Sequence, residues 1–238
     1  MLDRLLCLPP TMSAHGPIID HMIVSLHWFM LVLFVGWGCF FTLCLWKFRK
    51  GNNPKADYHG VRSHFSTHAE AAVIIFEVFL LLGFALPFWT QRVNEFPKPE
   101  DKPVEVRVIG SQFLWRMHYP GVDGKFGKTS ADLVKPGNEL GIDRSDENAK
   151  DDFVLETTGH LPIGRPAVLQ LTSMDVIHNY AIREMRIAQD AIPGSEIPMW
   201  FTPTEIGETN VICGQLCGSG HFSMKGFLVI DSEADYEA

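Results

Sequence analysis

Two stretches of the chain carry almost no polar positions. From Ile18 to Trp46 the sequence is nearly all apolar and rich in Trp and Phe, and Ala69 to Trp89 forms a second such run. Each is long enough to cross a bilayer core as a helix of about 20 residues. Neither shows the polar stripe that a helix lying on a soluble core turns to water, so the pattern predicts two transmembrane helices and not a pair of core helices. The first run is also longer than the apolar segment of a signal peptide, about 7–15 residues, and ends without a small-residue cleavage site.

After residue 103 the period changes. Val104-Glu-Val-Arg-Val108 alternates apolar and polar, Ala167 to Thr172 is a short apolar run, and Phe227-Leu-Val-Ile230 is another; short runs bounded by Gly and Pro read as strands of an antiparallel sandwich or barrel. The pattern divides the chain into a short leader (1–17), a helical hairpin (18–93) with a connecting loop (47–66), a linker (94–103), a β-domain (104–232) and an acidic tail (233–238). Pro97, Pro99 and Pro103 among charges mark the linker. Gly121 to Asp152, rich in Gly, Asp and Lys, reads as a surface excursion between strands. There is no internal repeat, phosphate loop or nucleotide fingerprint.

Charge orients the hairpin. Lys47, Arg49, Lys50, Lys55 and Arg62 stand between the spans against one acid, Asp57, and the positive-inside rule makes that loop cytoplasmic. Both termini then face the outer side, the periplasm if the membrane is a bacterial inner membrane. From residue 94 onward there are 23 acidic against 13 basic side chains, a formal charge of −10 within the whole-chain −8. An acidic outer face favours a basic partner, although net charge alone also serves solubility.

Cysteine usage adds candidate chemistry. Cys39 and Cys44 fall inside the first span and Cys7 in the leader, where they read as structural or incidental. Only Cys213 and Cys217 belong to the outer domain, in Cys213-Gly-Gln-Leu-Cys217-Gly-Ser-Gly-His221-Phe-Ser-Met224. Thiolate, imidazole and thioether together suit copper; calcium and magnesium want oxygen, and zinc rarely recruits a thioether. A further imidazole, His178, follows the apolar run from Ala167. One Cys, two His and a Met make a single-copper site, whereas two Cys flanked by two His and a Met can bridge a pair. A disulfide between Cys213 and Cys217 is the competing reading in an oxidising compartment.

The loop from Cys213 to Met224, with His178 upstream, resembles the binuclear copper A (CuA) centre of subunit II of the haem-copper cytochrome c oxidases. The resemblance continues through Gly110-Ser-Gln-Phe-Leu-Trp115, Leu161-Pro-Ile-Gly-Arg-Pro166, Leu171-Thr-Ser-Met-Asp-Val-Ile-His178, Gln189-Asp-Ala-Ile-Pro-Gly194 and Trp200-Phe-Thr-Pro-Thr204. It covers most of the chain after residue 104, in the family's order. It implies an α+β membrane protein: a two-helix transmembrane hairpin followed by an all-β cupredoxin-like Greek-key domain. It also implies Cys213 and Cys217 as bridging thiolates, His178 and His221 each on one of two copper ions, Met224 as a weak ligand and Gln215 as a ligand through its backbone carbonyl. The implied partners are oxidase subunits I and III and a c-type cytochrome donor, with electrons passing to haem a of subunit I, where oxygen is reduced and proton pumping is driven.

Several positions depart from the family pattern. Gln215 stands where many members have Glu, whose carboxylate helps hold an interfacial magnesium; a neutral amide is a weaker ligand for a hard cation, which leaves that magnesium site doubtful here. Phe113 stands where the family often has the Trp that receives electrons, and Trp115 keeps the later aromatic position. In the second span, Glu70 matches the family Glu at the mouth of a proton pathway. Glu77, two turns on, is either a neutral hydrogen-bonded acid or a further relay member. No His pattern or Cys-x2-Cys-His suggests haem on this chain. The rival reading is a membrane-tethered copper carrier or assembly factor, against which a full bridging ligand set argues; a quinol-oxidising homologue would lack those ligands.

Overall fold

The computed structural model describes residues 5–55, 58–60 and 62–238. The first four leader residues, and Ala56, Asp57 and Val61 of the connecting loop, lie outside the described residues. The chain forms two compact units, one holding Asp20–Glu95 and the other Cys7–Ile19 with Phe96–Ala238.

In the first unit, α1 (Gly16–Lys47) continues from the second unit and is followed by α2 (Phe65–Leu80), a π-turn (Leu81–Ala85) and α3 (Leu86–Asn94). The last three make one continuous helical stretch, Phe65–Asn94, and it and α1 are both long and apolar enough to cross a membrane. The π-turn has an identifiable cause. Pro87 lacks an N–H and its ring crowds the carbonyl four residues back, at Gly83, so the helix widens there. Phe29 of α1 meets Phe76 of α2 at 4.5 Å between ring centroids, while Trp37, Phe40, Phe79 and Leu82 stay exposed. Large aromatic side chains left open along two helices are what a lipid-facing surface requires.

The second unit is a sandwich of two five-stranded sheets. One orders β3 (Phe153–Glu156), β2 (Leu114–Tyr119), β1 (Val104–Ser111), β5 (Ala167–Ser173) and β8 (Ile197–Phe201). The other orders β4 (Thr158–Pro162), β10 (Lys225–Asp231), β9 (Gly207–Cys213), β6 (His178–Ile182) and β7 (Ile187–Ala191). Strand β5 alternates buried and part-exposed residues without a break, and β8, which carries Pro198, lies at a sheet edge where a missing N–H costs no ladder bond. Phe201, Leu169, Leu171, Ile182 and Ile230 are fully buried between the sheets, each contributing about 1.5–3 kcal/mol of burial. This is the cupredoxin-like Greek-key architecture that the resemblance implies.

One expectation is corrected. The sheets are not purely antiparallel: β1 runs parallel to β5, and β4 parallel to β10. Parallel neighbours need long connections, and here β2 to β4 and β5 to β9 intervene. The excursion after β2 is also more than a solvated loop. Asp152, buried, accepts from His118 Nε2 at 2.7 Å and from the Gly127 N–H at 2.9 Å, and Arg144 donates to the carbonyls of Ala149 and Asp152. The leader too is built into this unit. Met12 N–H donates to Glu184 O, Thr204 N–H to Met12 O and Ala14 N–H to Thr202 O, while the buried Ser13 hydroxyl donates to Met185 O. At the other end, Glu233–Tyr236 forms one helical turn capped by Ser232, with Tyr236 packed against the core and Arg165 paired to Glu233.

Candidate metal centre

Strand register brings the sulfur and nitrogen donors together. His178 opens β6, Cys213 closes β9, and Tyr180 pairs with Cys213 across the two strands. The loop from 214 to 224 then returns as β10, whose Lys225 pairs with Ile212 of β9. Three adjacent strands thus fix both ends of the loop and the upstream histidine. Cys213 Sγ lies 3.8 Å from Cys217 Sγ and 3.9 Å from His178 Nδ1. Cys217 Sγ lies 3.6 Å from His221 Nδ1 and 3.7 Å from Met224 Sδ, and the Gln215 carbonyl is 3.2 Å from Cys213 Sγ. The donor atoms of His178, Cys213 and Cys217 all fall within 4.8 Å of one another. A disulfide would hold its sulfurs at about 2.05 Å; here both thiols are free.

The donors suit the ion that the family implies. Two thiols, two imidazoles, a thioether and a carbonyl on one rigid frame form a soft, mixed set for copper. His178 is fully buried, and its Nε2–H donates to Asp175 Oδ1 at 2.8 Å, which leaves the Nδ1 lone pair facing the sulfurs. Burial alone would raise the Asp175 carboxyl, but hydrogen bonds from His178 and from the Gln112 and Val176 amides hold it below its ordinary range. The Cys217 thiol is pushed up to about 11 by burial and by the Cys213 thiol. The metal-free Cys217 thiol is therefore protonated at neutral pH, and binding a metal there would release its proton.

Glycines let neighbouring side chains close on this loop. A Cβ at Gly220 would lie 2.5 Å from Phe113 Cδ2, and one at Gly218, whose φ is +137°, would lie 2.6 Å from Gln112 Nε2. A Cβ at Gly110 would meet His178 Cδ2 at 2.9 Å and Trp115 Cζ3 at 3.0 Å. The two candidate electron-entry aromatics differ in placement. Phe113 is half-buried over the loop, whereas Trp115 has no exposed surface and stands edge-on to His178 and Tyr180, with centroid distances of 5.8 and 5.0 Å. Glu70 and Glu77 both lie on α2, in the other unit. Gln215 is exposed, as are Leu216 and Phe222 of the same loop. On sequence alone Gln112 and Asp175 carry no role of their own; an Asp three residues before a candidate ligand His was the available signal.

Comparison with known proteins gives a consistent answer. The family model for the periplasmic domain of cytochrome c oxidase subunit II matches residues 104–232. An alternative cytochrome c oxidase subunit 2 of Bradyrhizobium diazoefficiens is 30% identical over 92% of this chain and 78% of its own length. A cytochrome c oxidase subunit 2 of Cereibacter sphaeroides is 26% identical over 96% of this chain and 79% of its own. A crystal structure of the periplasmic domain of subunit II of cytochrome oxidase (CoxB) of Bradyrhizobium japonicum is 26% identical. It covers 56% of this chain and 88% of that one, with a TM-score of 0.41. With a family model spanning the β-domain and a relative aligned over nearly the full chain, this protein belongs to the cytochrome c oxidase subunit II family of the haem-copper terminal oxidases.

Proposed function

We propose that this chain is the electron-entry subunit of its oxidase, taking electrons from a c-type cytochrome at a binuclear CuA centre and passing them to haem a of subunit I. The observation that carries the proposal is the convergence of Cys213, Cys217, His178, His221, Met224 and the Gln215 carbonyl at one end of the sandwich. When bound, two copper ions would supply one-electron uptake shared across both metals. The chain's own residues do the rest. Cys213 and Cys217 would hold the metals as thiolates, the Asp175 contact keeps the His178 lone pair aimed inward, and the β6, β9 and β10 frame fixes both ends of the donor loop. Little reorganisation means fast transfer. Half-buried Phe113 covers the loop on the side where a donor can approach, and Trp115 supports His178 from behind.

Membrane placement follows the charge rule: α1 and the helix Phe65–Asn94 span the bilayer of a bacterial cell, with the β-domain on the periplasmic side and the Lys- and Arg-rich loop in the cytoplasm. The leader from Cys7 onward belongs to the same compact unit as the β-domain. Subunits I and III are the proposed membrane partners. The interfacial magnesium is left out, since Gln215 offers only a neutral amide.

Copper loading of the purified full chain tests the reading. Two coppers per chain and a purple mixed-valence spectrum are expected; a single copper with a mononuclear spectrum would refute it, and ready loss of the metal to a competing chelator would favour a copper carrier. In Met224→Leu, copper should remain with a shifted reduction potential, because a weak thioether ligand would mainly tune potential; an unchanged potential removes Met224 from the centre. Glu70→Gln should slow proton-coupled haem reduction in the assembled oxidase while leaving copper reduction by the donor intact. Time-resolved haem absorbance decides this, and wild-type rates across the pH range would remove Glu70 from proton entry. Glu77→Gln in the same assay separates a relay acid from a structural one.

A further inference from the structure

The β1–β2 turn supplies no metal donor, yet it joins the two halves of the ligand set. Its Gln112 makes contacts in two directions. The side-chain Nε2–H donates to the Cys217 carbonyl at 2.5 Å, and the backbone N–H donates to Asp175 Oδ2 at 2.6 Å. The other carboxylate oxygen of Asp175 accepts from His178 Nε2 at 2.8 Å. One residue thus links the loop bearing Cys217, His221 and Met224 to the strand end bearing His178. The link has been given room, because only a glycine at 218 lets the Gln112 amide lie against the loop backbone.

The geometry points to Gln112 as a positioning residue of the metal centre: it sets how far the Cys217 side of the ligand set stands from the His178 side. Without that amide donor, nothing else in the β1–β2 turn holds the Cys217 carbonyl, and the loop between Cys217 and Gly220 is free to move outward past Phe113. The spacing of two bridged metals, and so the evenness with which an electron is shared between them, depends on such a tie. Gln112 touches no donor atom itself and acts through Cys217 and Asp175. This inference rests on the proposed copper centre for its meaning in electron transfer, but the tie itself exists in the metal-free chain and is testable there.

Two variants separate hydrogen bonding from packing. Gln112→Met keeps the length and loses the donor; Gln112→Glu keeps the shape but presents only acceptors to the Cys217 carbonyl. In the metal-free full chain, N-ethylmaleimide labelling of Cys217, located by fragment mass spectrometry, reports how often the loop opens. Wild-type Cys217 is 3% exposed and should label slowly. Both variants should label about five- to tenfold faster, the scale set by losing one hydrogen bond, with the thermal midpoint of the β-domain unchanged. After copper loading, both should show an altered hyperfine pattern and a shifted potential at full copper content. Wild-type labelling rates in both variants, or an unaltered hyperfine pattern and potential in both, would overturn the inference. If the wild-type chain bound only one copper, the electron-transfer reading would fall, while the labelling rates would still decide whether Gln112 holds the loop.

Discussion

Cys217→Ser is expected to reduce the chain from two bound coppers to at most one and to abolish electron entry. Cys217 is the hub of the donor set, with the Cys213 sulfur, the His221 nitrogen and the Met224 sulfur all within 3.8 Å of its own. A serine hydroxyl is smaller, harder and un-ionised at neutral pH, so it would not replace the Cys217 thiolate as a ligand for copper. The variant also leaves a polar group in a pocket that is 3% exposed, which costs about 1–3 kcal/mol if the hydroxyl finds no partner. Copper analysis with optical spectra reads the result. Retention of two coppers, the purple spectrum and normal oxidase turnover would show the ligand assignment to be wrong. Cys44→Ser, in α1, should leave the copper count untouched.

The second large effect is steric. Gly110→Ala would drive a methyl group to within 2.9 Å of the His178 ring and 3.0 Å of the Trp115 ring. Neither ring can yield cheaply. His178 is tied to Asp175, and Trp115 is wedged edge-on against Tyr180 with no exposed surface. Overpacking of this kind costs about 1–3 kcal/mol, and here the displaced group is itself a proposed ligand. The metal-free domain should melt lower, and copper should bind more weakly than that loss of stability alone explains. A variant with wild-type melting and wild-type copper affinity would mean that β1 does not support His178.

Much of this architecture is legible in one dimension, for reasons that are local. The two long helices declare themselves because their apolar runs are unbroken over about the length that crosses a bilayer core, and the strand β5 because its apolar run from Ala167 to Thr172 is short. The donor residues of the 213–224 loop are close in sequence, so their chemistry is visible as a motif. What is hidden is set by tertiary contacts. Nothing in β1 or β5 announces that they run side by side in parallel across more than fifty residues, since pairing direction depends on the path between them. Gln112 reaches Cys217 across 105 positions, and an amide with so distant a partner carries no local signature. The excursion after β2 reads as solvated from its Gly, Asp and Lys content, yet one buried carboxylate, Asp152, gathers it against His118.

The leader's place in the β-domain sets an order of events during synthesis. Ser13 hydrogen-bonds to Met185, 172 positions later, and Met12 is clasped by Glu184 and Thr204. At about 5–20 residues per second, the segment around Ser13 waits roughly ten to thirty-five seconds after its own synthesis for the residue that receives it. During that interval Met12, Ser13 and Ala14 lack the partners that hold them in the folded domain. Their docking is among the last steps, available only when the strands on both sides of residue 185 exist. A chain arrested before Thr204 therefore leaves Met12 undocked, and a docked Met12 means that translation has passed the turn into β9.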